Sequence, residues 1–257
     1  MSAITLHAKP SPSYAAKLAA TQALLVDATA RFTPITQASS LGAEDMVITH
    51  LLHTLQLPCE VFVLQTGKLH VETNALLHTV QTTYGSDRVV RVYEPDAAAA
   101  ANFVASHGED AMYQSIELRK ACCDLRKMVP LAQALQGKKA WITGLRREQS
   151  NARAEVHAIE QPPAAADTSP ALAKINPLAD WTNGDVWHYL ATHHVPYNAL
   201  HDQFYPSIGC APCTRAVTLG EDSRSGRWWW ENETAKECGL HSAASSSLRD
   251  IPIIASV

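Results

Sequence analysis

The sequence predicts an α/β protein: a parallel, twisted sheet with helices on both of its faces. Short apolar runs rich in β-branched residues alternate with longer stretches of helical spacing, the order that strand-crossover-strand units produce. Three of these runs end in glycine turns, at Gly42, Gly67 and Gly144. With 257 residues, 46% hydrophobic and 18% charged, the chain can bury a domain-sized core without disulfides.

The elements follow in order. After a Pro- and Ser-containing N-terminal arm, SYAAKLAATQALLVDATARF spaces its apolar residues as a helix does, and PITQASSL reads as a short buried strand running into the turn at Gly42. AEDMVITHLLHTLQ resumes a helix. EVFVLQTG is a second strand ending at Gly67, followed by a helix from about His70 to Tyr84. RVVRVYE is a third strand, followed by an Ala-rich helix. The segment from about Asp110 to Leu135 reads as helical and carries Cys122 and Cys123, and KKAWITG gives a further strand ending at Gly144. RREQSNARAEV begins as a polar loop, and QPPAAADTSPALA reads as a surface loop with no composition shift that would mark a domain boundary. WTNGDVWHYLATHH starts a helix at Thr182 or Asn183, and the chain is irregular from VPYNALHD onward. The expected organisation is one α/β domain over residues 1–230 and a flexible C-terminal segment over 231–257.

The formal charge of −4 and a pI near 6.3 argue against a nucleic-acid binder that works through a broad basic surface. No run of eighteen apolar residues occurs, and the start has no apolar stretch of signal-peptide length, so neither membrane spanning nor secretion is expected. A cytoplasmic location follows as the expectation. Thiols stay reduced there, which favours metal binding or catalysis over structural disulfides.

Three turns can carry chemistry at the carboxyl edge of the sheet. In ASSLGAED, the amides around Gly42 and Glu44 and the hydroxyls of Ser39 and Ser40 could hold an anion, although Ser40 could equally begin the helix and Gly42 simply make the turn. QTGK at Gly67 and ITGLRREQS, with Arg146 and Arg147, end later strands. Three such turns at one edge would make a nucleotide-sized crevice, and planar guanidinium suits a bidentate grip on phosphate or sulfate.

The cysteines fall into groups: the tandem Cys122-Cys123, the pair Cys210/Cys213 and the solitary Cys238. Adjacent helical side chains diverge by about 100°, so the tandem pair chelates a single ion poorly, whereas a four-iron cube gives each thiolate its own corner. A Cys₄ zinc site remains the rival. Cys238, beside Lys236 and three residues before His241, has the surroundings of a stabilised thiolate. Cys59, ahead of a strand, reads as a buried apolar thiol. The run Trp228-Trp229-Trp230 could stack a base but is expected to pack the tail against the body.

Taken together, SSLGAED, LQTGKLHVET, CCDLRK, TGLRREQS, VPYNALHDQFYPSIGCAPCTRAV, GRWWWE and KECGLH resemble, in that order, the iron-sulfur branch of the assimilatory adenylyl-sulfate (adenosine 5′-phosphosulfate) reductases over roughly residues 35 to 241. Phosphoadenylyl-sulfate reductases share the fold and the tail cysteine but lack the four cluster cysteines. The resemblance implies an adenine nucleotide α-hydrolase-like fold with a mobile C-terminal segment. It implies one 4Fe-4S cluster per chain on Cys122, Cys123, Cys210 and Cys213. It also implies thioredoxin-dependent reduction of adenosine 5′-phosphosulfate to sulfite and AMP through an S-sulfonate on the catalytic Cys238. The substrate-binding residues implied are Ser39, Ser40, Gly42, Glu44, Gly67, Arg126, Lys127, Arg146, Arg147, Arg215, Arg224, Arg227 and His241, with Lys127 linking cluster and substrate. Leu41 stands where many members carry a small polar side chain, which leaves that turn to bind through backbone amides and Ser39 or Ser40. Thioredoxin or a similar thiol reductant is the expected partner, in a homo-oligomer. Alternatives are a dual-specificity reductase that also takes the 3′-phosphorylated substrate, and an ATP-pyrophosphatase-type sulfurtransferase, which the replacement of SGGxDS by SLGAED disfavours.

Overall fold

A computed structural model describes residues 2–85, 90–150, 153–161, 172–218 and 220–231. Helix α1 (Ala3–His7) is capped by Ser2 and forms where the sequence suggested only an arm. Helix α2 (Tyr14–Arg31) leads into β1 (Ile35–Ser39), α3 (Ala43–Thr54), β2 (Glu60–Leu64), α4 (Val71–Tyr84), β3 (Val90–Tyr93) and α5 (Ala97–His107). The long helix expected between Asp110 and Leu135 is broken. A 3₁₀ turn (Ala111–Tyr113) precedes α6 (Ile116–Cys123), a π-helical stretch spans Asp124–Met128, and α7 (Val129–Leu135) completes it. Then come β4 (Ala140–Ile142), β5 (Ile159–Glu160), β6 (Ala173–Ile175) and α8 (Asn183–Thr192).

Among the described residues six strands lie in the order β3-β2-β1-β4-β6-β5, all parallel except β5, which runs antiparallel to β6. The order reverses between β1 and β4, so these neighbours diverge into crossovers on opposite sides and leave a crevice beyond their carboxyl ends. Alternation along β2 shows how the faces are filled. Val63 packs into the core that includes Met46, Leu51, Leu76 and Leu190 of α3, α4 and α8. Phe62 and Leu64 point the other way, toward Leu131 and Leu135 of α7. Both faces are therefore covered, as the apolar strands require.

Polar residues in this core fix the turn after β1. Gln37, fully buried, donates from Nε2 to the Asp45 carbonyl at 2.8 Å and accepts from Thr49 Oγ1 at 3.0 Å. These bonds hold the start of α3 against its own strand. Helix α8 begins with a reciprocal cap: Thr182 Oγ1 accepts from the Asp185 amide at 3.1 Å, and Asp185 accepts from the Thr182 amide at 2.9 Å. Asp185 also pairs with Lys17 at 2.8 Å, which ties α2 to the head of α8.

Candidate functional site

Two cavities meet at the carboxyl edge of the sheet. The smaller is bordered by all four paired cysteines, and Cys122, Cys210 and Cys213 are buried. Cys122 and Cys123 end α6, whose start is capped by Ser115, and the backbone widens into the π stretch directly after them. Such widenings concentrate at functional sites because they re-aim side chains that a regular helix would send elsewhere. Cys210 opens the 3₁₀ turn Ala211–Cys213, which is fastened to the turn after β2 by the Ala211 amide donating to the Lys68 carbonyl at 2.7 Å. Thr66 Oγ1 lies 3.3 Å from Cys210 Sγ.

Five cations, Lys68, Arg119, Arg126, Lys127 and Arg227, border the same cavity. Burial would raise the Cys210 thiol, but Lys127, the Thr66 hydroxyl, Arg227 and Arg126 outweigh it and hold the group below its ordinary value. Burial raises Cys122. Cys213 is pushed up to about 12 by burial and by the charges of Cys210 and Cys123. Four such thiols cannot all ionise side by side unless positive charge stands between them. Among the described residues, no three His, Cys, Asp or Glu side chains are disposed to hold a single metal ion. The donor set fits a polynuclear centre instead, because soft sulfurs converge on one enclosure with cations around it. Buried N–H groups fit as well: among the described residues, Arg126 Nε, Arg227 Nε and Trp228 Nε1 meet no acceptor.

The tryptophan run divides its labour. Trp228 is 1% exposed, has φ of 43° and borders the cysteine cavity, with the guanidinium carbons of Arg119 and Arg227 each 4.8 Å from its ring centroid. Arg119 in turn forms a bidentate pair with Glu231 at 2.8 and 2.7 Å, and both side chains are buried. Trp229 is on the surface, and Trp230 packs edge-on to Tyr113. The expected packing role describes Trp228 and Trp230.

The larger cavity is a cleft of about 670 Å³ beyond the ends of β1, β2 and β4. It is lined by Ser39, Ser40, Gly42 and Glu44 from the first turn, Thr66 from the second, and Gly144 and Arg146 from the third. The close approach of first and third turns demands glycine at 144, where a Cβ would sit 2.6 Å from Asp45 Oδ1 and 2.8 Å from Glu44 Cβ. Leu41 is buried with φ of 62°, so its side chain points into the core and the turn offers backbone to the cleft. Both serines are engaged: Ser40 donates from its amide and Oγ to Asp45 Oδ2 at 2.7 Å, and Ser39 Oγ accepts from the Leu41 amide at 3.2 Å. Burial pushes Asp45 up to about 6.

The expected anion-binding side chains separate into those at the cleft and those away from it. Lys127 and Arg227 line both cavities, and Arg224 lines the cleft. Arg146 lines it while pairing with Glu44 at 2.8 Å and Glu148 at 3.0 Å. Burial would raise Glu44, but Arg146 and the Gln149 amide hold it lower. Arg126 borders the cysteine cavity and donates to the Thr66 carbonyl at 2.8 Å, and Gly67, with φ of 72°, gives it room. Arg147 pairs with Asp180 on the surface, and Arg215 forms a bidentate pair with Glu221 at 3.0 and 2.7 Å; neither lines the cleft. Cys238 and His241 lie outside the described residues. Sequence reasoning missed Arg119, Lys68 and Arg153 as site cations, although Arg119 stands one helical turn before Cys123 and that spacing was legible.

The family profile "Phosphoadenosine phosphosulfate reductase domain" matches residues 34–216. The chain is 49% identical over 231 residues to an adenosine 5′-phosphosulfate reductase of Burkholderia cepacia, covering 90% of each chain. It is 53% identical over 204 residues to one of Allochromatium vinosum, covering 79% of this chain and 77% of that one. In structure it is similar to the phosphoadenylyl-sulfate (PAPS) reductase of Candida auris, with a TM-score of 0.63, 26% identity, and coverage of 77% of this chain and 90% of that one. An FMN adenylyltransferase of Candida glabrata shares the fold alone, with a TM-score of 0.52 and 13% identity over 92% of this chain and 79% of that one. The sheet is thus of the adenine nucleotide α-hydrolase-like kind.

Proposed function

From the premise that the chain belongs to the phosphoadenosine phosphosulfate reductase family, we propose that it is an adenylyl-sulfate reductase, converting adenosine 5′-phosphosulfate to sulfite and AMP. One observation carries the choice of branch: four cysteines border a single cavity that shares Lys127 and Arg227 with the nucleotide-sized cleft. A reductase without a cluster would have no use for that thiol set.

In this reading the nucleotide lies across the turns after β1, β2 and β4. The amides of the Gly42 turn and the Arg146 network hold its phosphate side, and Lys127, Arg224 and Arg227 meet the sulfate. The Cys238 thiolate attacks the sulfate sulfur, the bond from sulfur to the bridging oxygen breaks, and AMP leaves as a stable phosphate monoester. A Cys238 S-sulfonate remains. A dithiol of the thioredoxin class then attacks the Cys238 sulfur, releasing sulfite and restoring the cysteine, and becomes a disulfide itself. A 4Fe-4S cluster, one per chain, held by Cys122, Cys123, Cys210 and Cys213, would supply a fixed centre of charge beside the substrate's anionic end. Lys127 and Arg227 stabilise charge that develops on the sulfonyl oxygens, and they do so at the border of both cavities. The enzyme acts in sulfate assimilation toward cysteine, in the cytoplasm, as a homo-oligomer. No helix among the described residues is long and apolar enough to cross a membrane.

The test is to incubate the anaerobically purified protein with adenosine 5′-phosphosulfate in the absence of reductant and then digest it. The proposal expects a sulfonate on the Cys238 peptide and one AMP per adduct. A Cys238→Ser protein that released sulfite at the normal rate would overturn it.

A further inference from the structure

The stretch from Arg227 to Glu231 is fastened to both cysteine-bearing elements, and the reaction as described gives Glu231 and its partner Arg119 no part. On one side stands the Cys210/Cys213 turn. Arg227 forms a backbone bridge with Thr214, and the Trp228 amide donates to the Cys213 carbonyl at 3.2 Å. Trp230 packs edge-on to Tyr113, with ring centroids 4.5 Å apart, and the Tyr113 hydroxyl donates to the Pro212 carbonyl at 2.5 Å. On the other side stands α6, which ends in Cys122 and Cys123. Its Arg119 lies against the Trp228 ring and grips both carboxylate oxygens of Glu231, a pair that is buried on both sides. The Glu231 amide closes the turn by donating to the Trp228 carbonyl at 2.9 Å.

A buried ion pair adds little net stability over an apolar pair of the same volume, whereas a bidentate fork fixes direction as well as distance. Direction is what the chain beyond Glu231 needs. Cys238 follows Glu231 by seven residues, and seven residues span at most about 23–25 Å. The reach of the thiol is therefore a sphere centred on Glu231, and the orientation of Glu231 decides how the chain leaves that centre. Arg227, four residues earlier, lines both cavities, so the sulfate end of the cleft falls within this reach. We infer that Glu231, held by Arg119, is the fixed root from which the chain carries Cys238 to the substrate, and that both are positioning residues for the attack on the sulfate sulfur. The inference rests on the adenylyl-sulfate reductase reading and adds what aims its nucleophile.

The experiment times the first half-reaction alone. The anaerobically purified parent chain, Glu231→Leu and the double variant Arg119→Met with Glu231→Leu are mixed with saturating adenosine 5′-phosphosulfate in the absence of reductant, and the sulfonate on the Cys238 peptide is followed. AMP affinity is read by calorimetric titration, stability by thermal melting, and iron content on each protein. Because a misplacement of about 1 Å can cost about 100-fold in rate, both variants should form the adduct about 10- to 100-fold more slowly, with Kd for AMP within about twofold of the parent and iron unchanged. The double variant carries no orphaned charge, so it should melt above Glu231→Leu and still react slowly, which separates aiming from stability. Adduct formation at the parent rate in either variant, a loss confined to AMP affinity, or loss of iron from the double variant would overturn the inference. A parent chain that forms no Cys238 adduct overturns the reductase reading and this inference together, whereas an adduct that forms equally fast in all three proteins overturns the positioning role alone.

Discussion

Substituting leucine for Glu231 removes one partner of an ion pair in which Arg119 and Glu231 are 3% and 2% exposed. Arg119 would remain buried beside Cys123 and the Trp228 ring without its carboxylate. Leaving one charge of a buried pair uncompensated costs about 3–5 kcal/mol. For a chain of roughly this size each kcal/mol moves the melting temperature by about 2–4 °C, so Glu231→Leu should melt about 6–20 °C lower. Replacing both partners, as Arg119→Met with Glu231→Leu, removes the orphaned charge together with the pair. The double variant should therefore melt above Glu231→Leu, with a coupling energy of at least about 2 kcal/mol in a thermodynamic cycle. Scanning calorimetry on the four proteins measures it. A shift under about 2 °C for Glu231→Leu, or a double variant that loses the sum of both single losses, would refute the claim that Arg119 and Glu231 form a coupled, buried ion pair.

Other outcomes follow from the same geometry. Lys127→Ala deletes a cation that lines both cavities, and kcat/KM for adenosine 5′-phosphosulfate should fall about 10- to 100-fold, whereas Arg147→Ala, whose partner Asp180 is on the surface, should stay within about twofold. Gly144→Ala drives a Cβ to 2.6 Å from Asp45 Oδ1 and should cost about 1–3 kcal/mol in denaturant unfolding, with loss of AMP binding. Asp45 has a folded pKa of about 6 against an ordinary 3.8, so the folded chain binds more protons than the unfolded one between those values. Its contribution is favourable at low pH and is lost as pH rises toward 6, by up to about 3 kcal/mol. Asp45→Asn should remove that loss, so the melting temperature of the variant relative to the parent should rise from pH 4 to pH 7.

Elements with strong periodicity could be read directly. The β1, β2 and β4 runs end in the turns at Gly42, Gly67 and Gly144, and Thr182 is the cap of α8. The strands β5 and β6 were not legible, because two- and three-residue strands exist through pairing with each other and with β4 rather than through a pattern of their own. The π stretch after Cys123 was hidden for a related reason: helical spacing continues through it while the side-chain directions change. The cysteine set was legible by residue type, since paired thiols are rare and their chemistry is narrow. The arginines were not, because a guanidinium near a motif in sequence can turn outward to a partner such as Asp180 or Glu221. Arg146 was placed at the cleft, but its engagement with Glu44, far away along the chain, emerges only from the meeting of two turns.

The central claim is that this cleft and its neighbouring thiols reduce an adenylylated sulfate. Its most direct test offers adenosine 5′-phosphosulfate and the 3′-phosphorylated form side by side to the anaerobically purified protein with thioredoxin, and measures sulfite and AMP. Equimolar sulfite and AMP are expected from adenosine 5′-phosphosulfate, with much slower release from the 3′-phosphorylated compound. Comparable rates would make the enzyme dual-specific, and sulfite from the 3′-phosphorylated form alone, or from neither, would contradict the account.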